Sequence, residues 1–209
     1  MTRAYSEIYL EEAMIRLGDM LEYAVLDCGY DSDGFWQMFI QSSVSRRFET
    51  GDISLIAGKS GAELAFLVLH ERENLTTFTI PFWREDRSPL FWCGWILCYF
   101  QWHENISFKR IWESVSIRTL EKMYPTLHEA DKSKTVEALK ALIKPRAKTP
   151  VMTLRLIKNL SQKELSERAG MSISQLQRLE YGERSVENLS LKTALSLARA
   201  LGVEADEIC

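Results

Sequence analysis

The chain has 209 residues and a formal net charge of −3, with 46% hydrophobic and 26% charged residues. These ordinary values argue against a wholly disordered chain and predict one large or two small globular domains. The first residues include acids and lack the uninterrupted apolar run of a signal peptide, so we expect a cytoplasmic protein. The longest apolar run, residues 89–102, is too short to cross a bilayer, so no membrane association is expected.

The charge is unevenly distributed along the chain. Residues 145–202 contain ten Lys or Arg and five Asp or Glu, whereas the rest of the chain contains 16 basic and 24 acidic residues. Net charges of +5 and −8 predict two parts with different roles, of which only the basic part would approach nucleic-acid phosphates.

Helical signals dominate the longer, acidic part of the chain. Apolar residues three or four apart predict amphipathic helices over about 4–27 and over 35–48. Residues 89–102, apolar on all sides, predict a central core helix, and residues 129–143 predict the last helix of this part. The β-branched stretch at 75–83 predicts a short extended segment. Further helix starts are indicated by capping patterns at Ser60, Ser88, Ser107 and Ser116.

The acidic part carries no recognisable catalytic pattern. Sequences of the GxSxG, HExxH and P-loop types are missing, so we expect neither an enzyme nor a cofactor. The aspartates of residues 27–33 are too few and wrongly spaced for a calcium loop, and His128 fits a solvated helix start. The four cysteines form no CxxC pair, so no metal site or disulfide framework is expected. Reduced thiols are expected at Cys28, Cys93, Cys98 and Cys209.

Tryptophan is abundant in the acidic part, and three interpretations of it remain open. The indoles could form an aromatic core, line a small-molecule pocket, or form a surface that binds a partner protein, since tryptophan is enriched in binding hot spots. The residues concerned are Trp83, Trp92, Trp95, Trp102 and Trp112.

A domain boundary is predicted by the sequence "IKPRAKTP" at residues 143–150. Its two prolines interrupt helices and restrict the residues before them, so residues 145–150 fit a short semi-extended linker. The predicted organisation is therefore a helical domain over 1–144, the linker, and a second domain over 151–209.

The second domain contains two short helices with strong start and stop signals. Ser161 and Glu164 form a capping box, and Ser172 and Gln175 form another. Gly170 between them fits the left-handed conformation of a helix end. Two helices of about two turns joined by such a turn are typical of a helix-turn-helix.

The sequences "LSQKELS", "GMS" and "QRLEYG", followed by "NLSLKTALSLARALGV" and "EADEI", resemble the lambda-repressor-like, or XRE-family, DNA-binding domain. The resemblance covers residues 151–209. It implies an all-α protein in which the helical N-terminal domain precedes a five-helix lambda-repressor-like domain. The chain departs from the family pattern at Ser166, where alanine is usual, at Leu189, where proline is preferred, and in a longer loop over 182–189.

The resemblance implies a role for each matched position. The second helix of the pair would enter the major groove, where Arg178 would bind guanine, Gln177 would pair with adenine and Ile173 would touch a thymine methyl. Base contacts are implied for the outward positions Ile173, Ser174, Gln177 and Arg178. Phosphate contacts are implied for Gln162, Gln175, Lys158, Arg184 and Lys192. Arg155 and Glu180 would form a structural ion pair.

These implications favour a sequence-specific DNA-binding transcriptional regulator. It would be a repressor that binds a palindromic operator as a homodimer, while its N-terminal domain binds a partner or a signal. Residues 4–142 are also similar to a helical region found in front of XRE-type domains, some of them beside toxin-like genes. The alternative is therefore an antitoxin, whose N-terminal domain neutralises a toxin protein while the C-terminal domain represses the operon.

Overall fold

The structure, a computed structural model, describes residues 4–143, 148–182 and 184–208. These residues contain no β-strand, and the predicted all-α class is confirmed. The α-helices of the described residues are α1 Leu10–Leu26, α2 Ser32–Gln41, α3 Ser43–Glu49, α4 Ile53–Ile56, α5 Gly61–Glu73, α6 Pro89–Glu104, α7 Phe108–Trp112, α8 Ile117–Leu127, α9 Lys132–Leu142, α10 Pro150–Ile157, α11 Gln162–Ala169, α12 Ile173–Glu180 and α13 Leu191–Leu201. Short 3-10 helices occupy Glu7–Tyr9, Val186–Asn188 and Ala205–Ile208.

The chain divides into two compact units, an N-terminal unit Met1–Lys144 and a C-terminal unit Pro145–Cys209. Each has its own cluster of buried hydrophobic residues. Part of the predicted linker, residues 145–147, lies outside the described residues. Helix α10 begins within the predicted linker, because Thr149 caps it and Pro150 is its first residue. Proline suits that position, where no backbone N–H is needed for a helical hydrogen bond.

In the N-terminal unit, α1 packs along α6 and α5. The backbones of α1 and α6 nearly touch: a Cβ atom added at Gly94 would lie 2.3 Å from the carbonyl oxygen of Leu17. Close approach lets α6 pass through the middle of the unit, which explains why this helix is apolar on all sides, as predicted for residues 89–102. Beside it, Trp36, Phe39 and Phe108 pack as an aromatic cluster, with ring centroids 4.9–5.7 Å apart.

Capping serines begin four helices of this unit where the sequence predicted them. The hydroxyl oxygens of Ser60, Ser88, Ser107 and Ser116 each accept a hydrogen bond from the backbone N–H three residues later. Each cap satisfies a donor that has no partner within its helix. The predicted starts of α5 to α8 are thereby confirmed.

The single helix predicted over 35–48 is wrong, because this stretch contains the separate helices α2 and α3. Ser42 lies between them in an extended conformation, with ψ at 163°. Its hydroxyl donates to the carbonyl of Phe39 at 2.6 Å and accepts from the N–H of Ser45 at 3.3 Å. A serine that bonds to both neighbouring turns offers the backbone an alternative to a continuous helix. The short helix α4, capped by Asp52, was not predicted.

The tryptophans do not share one environment. Trp92 and Trp102 are buried, and Trp95 and Trp112 are partly buried against the same core, so an aromatic core accounts for these four. Trp83 instead lies on the surface, in the stretch between α5 and α6. The predicted extended segment at 75–83 forms no strand.

Candidate nucleic-acid interface

The helix pair α11 and α12 is built by its capping boxes and one left-handed turn. The N–H of Ser161 donates to the Glu164 carboxylate at 2.8 Å, and the N–H of Glu164 donates back to the Ser161 hydroxyl at 3.1 Å. The bond from the Ser161 N–H to the carboxylate is the main cause that holds the pKa of Glu164 below its usual value. Gly170 ends α11 with φ at 64°, a conformation that other residues adopt at a cost.

The second capping box determines which end of the Gln175 amide is available to a ligand. The Gln175 side-chain oxygen accepts from the N–H of Ser172 at 3.1 Å, and the Gln175 N–H donates to the Ser172 hydroxyl at 3.2 Å. The amide oxygen is therefore committed to the cap, and the exposed NH₂ group remains as a donor. A donor is what a phosphate oxygen requires.

Ser166, which stands where the family has alanine, is accommodated without an unpaired hydroxyl. Its side chain is buried in the C-terminal unit, and its Oγ donates to the carbonyl of Lys163 within the same helix at 2.8 Å. Because the polar group is satisfied inside α11, the small side chain still allows close packing. This departure from the family pattern therefore leaves the helix pair intact.

A buried ion pair joins the first helix of the unit to the end of α12. The guanidinium of Arg155 donates to both carboxylate oxygens of Glu180, through Nε to Oε1 and through Nη2 to Oε2 at 3.1 Å. The side-chain exposures of Arg155 and Glu180 are 9% and 0%. The third donor, Nη1, reaches the carbonyl of Leu160 at 2.8 Å. A bidentate pair of this kind has one favourable geometry, so it sets the orientation of α12.

Two glutamines extend this pair into a polar network. The Nε2 of Gln162 donates to Glu180 Oε2 at 2.8 Å, and the Nε2 of Gln177 donates to Gln162 Oε1 at 3.2 Å. Since an ionised carboxylate only accepts hydrogen bonds, Gln162 must turn its NH₂ group toward Glu180. One N–H of Gln162 is thereby used, and one is left for a ligand.

The position of Gln177 corrects the sequence analysis, which placed this residue among the outward positions of α12. Its exposed fraction is 5%, and its amide faces Gln162. A signal for this was present in the sequence. Gln177 lies three residues before Glu180, the residue expected to form a structural ion pair, which is the spacing of one face of a helix. That face is turned toward α11.

The outward face of α12 consists of polar side chains one turn apart. Ser174 and Arg178 are exposed and separated by four residues, with Gln175 exposed beside them. Ile173 is half-buried at the first turn. A surface with hydroxyl, amide and guanidinium donors along one face of a short helix can form hydrogen bonds with base edges.

The basic residues considered for phosphate contacts do not form one cluster. Lys158 lies at the far end of α13, since a Cβ atom added at Gly202 would be 3.7 Å from its Nζ. Lys192 is the second residue of that helix and is exposed. At 1.5 Å per residue, about 15 Å of helix separates the two. They could therefore contact only different phosphates.

Arg184 belongs to the long loop that departs from the family pattern. Its backbone N–H donates to the carbonyl of Arg178 at 3.0 Å, and its Nη2 donates to the carbonyl of Asn188 at 2.8 Å. Val186 and Leu189 pack against the core of the unit. The loop is thus folded onto the domain around a half-buried arginine, with Glu183 outside the described residues.

Capped helices joined by a left-handed glycine, with a polar outward face on the second helix, define a helix-turn-helix DNA-binding domain. Residues 151–208 match the family described as Helix-turn-helix, which confirms the XRE-family resemblance for this region, a little over a quarter of the chain. Such a domain indicates a DNA-binding regulator of the XRE type. No curated protein and no solved structure matches the chain.

Within residues 4–143, 148–182 and 184–208, no helix is long and apolar enough to cross a membrane. The same ranges contain no group of three His, Cys, Asp or Glu side chains placed to hold a metal ion.

Proposed function

We propose that the protein is a cytoplasmic, sequence-specific transcriptional repressor that binds a palindromic operator as a homodimer. The observation that carries this proposal is the division of α12 into two faces. One face is held by the buried Arg155–Glu180 pair and its glutamines, and the other presents exposed polar side chains. A helix fixed in this way can enter the major groove without first being ordered, so little affinity is lost to ordering.

Three residues of α12 are proposed to contact bases. Arg178 has the fork of donors that matches O6 and N7 of guanine, and Ser174 can donate to or accept from either partner of a base pair. Ile173, at the first turn, would touch a thymine methyl group. The buried position of Gln177 supports a different role from the adenine contact expected from the resemblance. It holds the amide of Gln162 in place.

The phosphate contacts are proposed to come from donors around this helix. Gln162 would use its remaining N–H, and Gln175 would use the NH₂ group that its capping box leaves available. Lys158 and Lys192 would bind separate phosphates by charge. Arg184 would contribute from the folded loop. Contacts of this kind give affinity for DNA of any sequence and make it dependent on salt.

A footprint across the genome, with the protein's own promoter included, tests this proposal. We expect protected sites with two half-sites whose centres lie about one helical turn of DNA, roughly 34 Å, apart. Binding without any preferred sequence would contradict the proposed function.

The N-terminal unit is proposed to bind a partner or a signal, and the antitoxin function is the alternative that a specific observation favours. This unit is acidic and exposes aromatic side chains between α5 and α6. Such a surface suits a protein better than DNA. Co-expression with the product of the neighbouring gene tests the alternative: an antitoxin would restore growth to cells that the product poisons, whereas a simple repressor would not.

A further inference from the structure

The strongest unexplained feature of the N-terminal unit is the surface segment at residues 79–87. Ile80, Phe82 and Trp83 are 85%, 74% and 78% exposed, so three large apolar side chains within four residues face water. Single exposed apolar residues are common on proteins, but a contiguous group of them marks an interaction site. Tryptophan and phenylalanine supply much contact area at a small entropic cost, because each has only two rotatable side-chain bonds.

The 79–87 segment is held in place, although it has no regular secondary structure. The hydroxyl of Tyr23 donates to the carbonyl of Thr79 at 2.5 Å. Asp27 accepts two hydrogen bonds from Arg84, at 2.9 and 3.0 Å, and a third from the N–H of Phe82 at 3.2 Å. These bonds join the segment to the end of α1, more than 50 residues away in sequence. The apolar side chains are thus presented by an ordered backbone.

The C-terminal end of the segment is fixed in the same way. Arg87 pairs with Asp19 and lies 3.7 Å from Glu22, and its guanidinium covers the ring of Phe91 at 4.2 Å. Glu22 also accepts from the N–H of Ser88 at 2.8 Å. A surface that is ordered before binding loses less entropy when a partner docks.

The charges around the apolar side chains are predominantly negative. Both arginines of the segment are already paired with carboxylates of α1 or its end. Glu85 and Asp86 are exposed and form no ion pair within the described ranges. Residues 1–144 contain 16 basic and 21 acidic residues, a net charge of −5. The segment is therefore an apolar patch with an acidic rim.

We infer that the 79–87 segment is the surface through which the N-terminal unit binds a partner protein, and that this partner presents an apolar pocket rimmed by Lys and Arg. The inference rests on the proposed partner-binding role of the unit and names the chemistry of the partner. Trp83 and Phe82 enter the pocket, and the basic rim meets Glu85 and Asp86.

An open groove beside the apolar side chains supports this assignment. It has a volume of about 510 Å³ and is lined by Pro81, Phe82 and Trp83, by Glu22 and Glu85, and by Arg84 and Arg87, which are already paired with Asp27 and Asp19. A Lys or Arg of the partner fits such a groove, because its methylene stem can pack on apolar carbon while its charge approaches a carboxylate.

The same charges disfavour the other occupants. A symmetric contact between two copies places the same patch on both sides, so the acidic rim that contains Glu85 and Asp86 would meet another acidic rim. DNA and anionic lipid surfaces would be repelled by the acidic rim. The segment therefore suits a basic protein surface rather than a second copy of this chain.

Site-specific photo-crosslinking in the cells that produce the protein tests the location. The full-length chain carries p-benzoylphenylalanine in place of Trp83, and a matched control carries it in place of Ile8, which is 77% exposed in the same unit. We expect a discrete adduct with one protein from position 83 and none from position 8. Adducts only with a second copy, only within the chain, only with lipid, or equally from both positions would overturn the inference.

Binding of the purified adduct partner to the full-length chain then tests the chemistry. We expect Trp83→Ser and Glu85→Lys/Asp86→Lys each to weaken the affinity at least about tenfold, and Ile8→Ser to leave it unchanged. Affinity should also fall as salt rises, because the rim charges are exposed. Equal affinities of all variants, or an affinity that is insensitive to salt, would overturn the inference.

Footprints of the same variants separate this inference from the proposed function. Trp83→Ser should leave the protected DNA sites unchanged, and the fluorescence of its five remaining tryptophans, all before residue 145, reports whether its N-terminal unit is folded. If the unmodified protein gave no sequence-specific footprint, the repressor proposal would be contradicted. The crosslinking result would still decide whether the 79–87 segment binds a partner protein.

Discussion

The two units hold their helices together by different means. In the N-terminal unit, α1 and α6 meet at Gly94 with backbones almost in contact, beside a core rich in aromatic rings. In the C-terminal unit, the described core is aliphatic and small, and the Arg155–Glu180 pair joins α10 to α12. Apolar packing depends on volume, whereas a buried ion pair depends on direction. The unit that must present one helix at a defined angle is the one that uses the directional interaction.

The stability of the two units can be followed separately, because every tryptophan lies in the N-terminal unit. All six occur before residue 145, so tryptophan fluorescence during denaturation reports on that unit. Far-ultraviolet circular dichroism reports on the helices of both units, and DNA binding reports on the C-terminal unit. A substitution in one unit is expected to change the signal of that unit, either the tryptophan transition or DNA binding, and to leave the signal of the other unit unchanged.

The largest effect is expected from Arg155→Ala. Removal of the guanidinium leaves the Glu180 carboxylate buried without its main partner, which costs about 3–5 kcal/mol in the free energy of unfolding. Urea denaturation should show early loss of helicity and DNA binding, while the tryptophan transition stays in place. Glu187→Ala, at an exposed glutamate of the same unit, is the matched control. Unchanged stability of Arg155→Ala would show that the pair is dispensable.

A comparable disruption of the N-terminal unit is expected from Gly94→Ala. The new methyl group would lie 2.3 Å from the Leu17 carbonyl oxygen, so α1 and α6 must move apart, at a cost of about 1–3 kcal/mol or more. The tryptophan transition should shift to lower urea. Gly34→Ala is the control, because its Cβ would meet only ordinary contacts at 3.5 Å. Equal midpoints for both variants would contradict close contact between the helices.

Arg178→Ala tests whether the outward face of α12 contacts bases. If Arg178 makes the proposed bidentate guanine contact, the substitution should weaken binding to the true operator by about 1–3 kcal/mol and relax the preference at one base pair. Quantitative binding to a set of operators with single base-pair changes measures both effects. A loss that is uniform over all operators would assign Arg178 to a phosphate instead.

Gln177→Ala tests the inward face with the same operators. Loss of its hydrogen bond to Gln162 should weaken binding by about 0.5–1.5 kcal/mol, and by the same amount for every sequence. A change of preference at an A·T pair would instead support the adenine contact that the resemblance implied for Gln177. Gln162→Ala should also show a uniform loss, since both residues are proposed to act through one phosphate contact.

The smallest effects are expected from Lys158→Ala and Lys192→Ala. Each should weaken binding to all sequences alike and reduce the slope of log affinity against log salt by about 1. The double variant should be additive, because the two lysines lie at opposite ends of α13. Non-additive losses would place both at the same phosphate.

The sequence by itself determined the capped starts of α5 to α8, α11 and α12, the left-handed turn at Gly170 and the identity of the DNA-binding domain. Caps and turns depend on residues within about four positions of one another, so their patterns are complete in a short stretch of sequence. At Ser42 the local pattern predicted the wrong structure. The apolar spacing continues through it, although its hydroxyl divides the stretch into two helices.

Only the tertiary structure decided which side chains are turned inward and which face water. Gln177 is buried because Gln162, 15 residues earlier in a different helix, accepts its amide hydrogen bond. Trp83 is exposed because Asp27, more than 50 residues earlier, holds Arg84 and the Phe82 backbone at the surface. Local spacing placed Gln177 on the same helix face as Glu180, but both outcomes depend on contacts between distant parts of the chain, which show what covers each face.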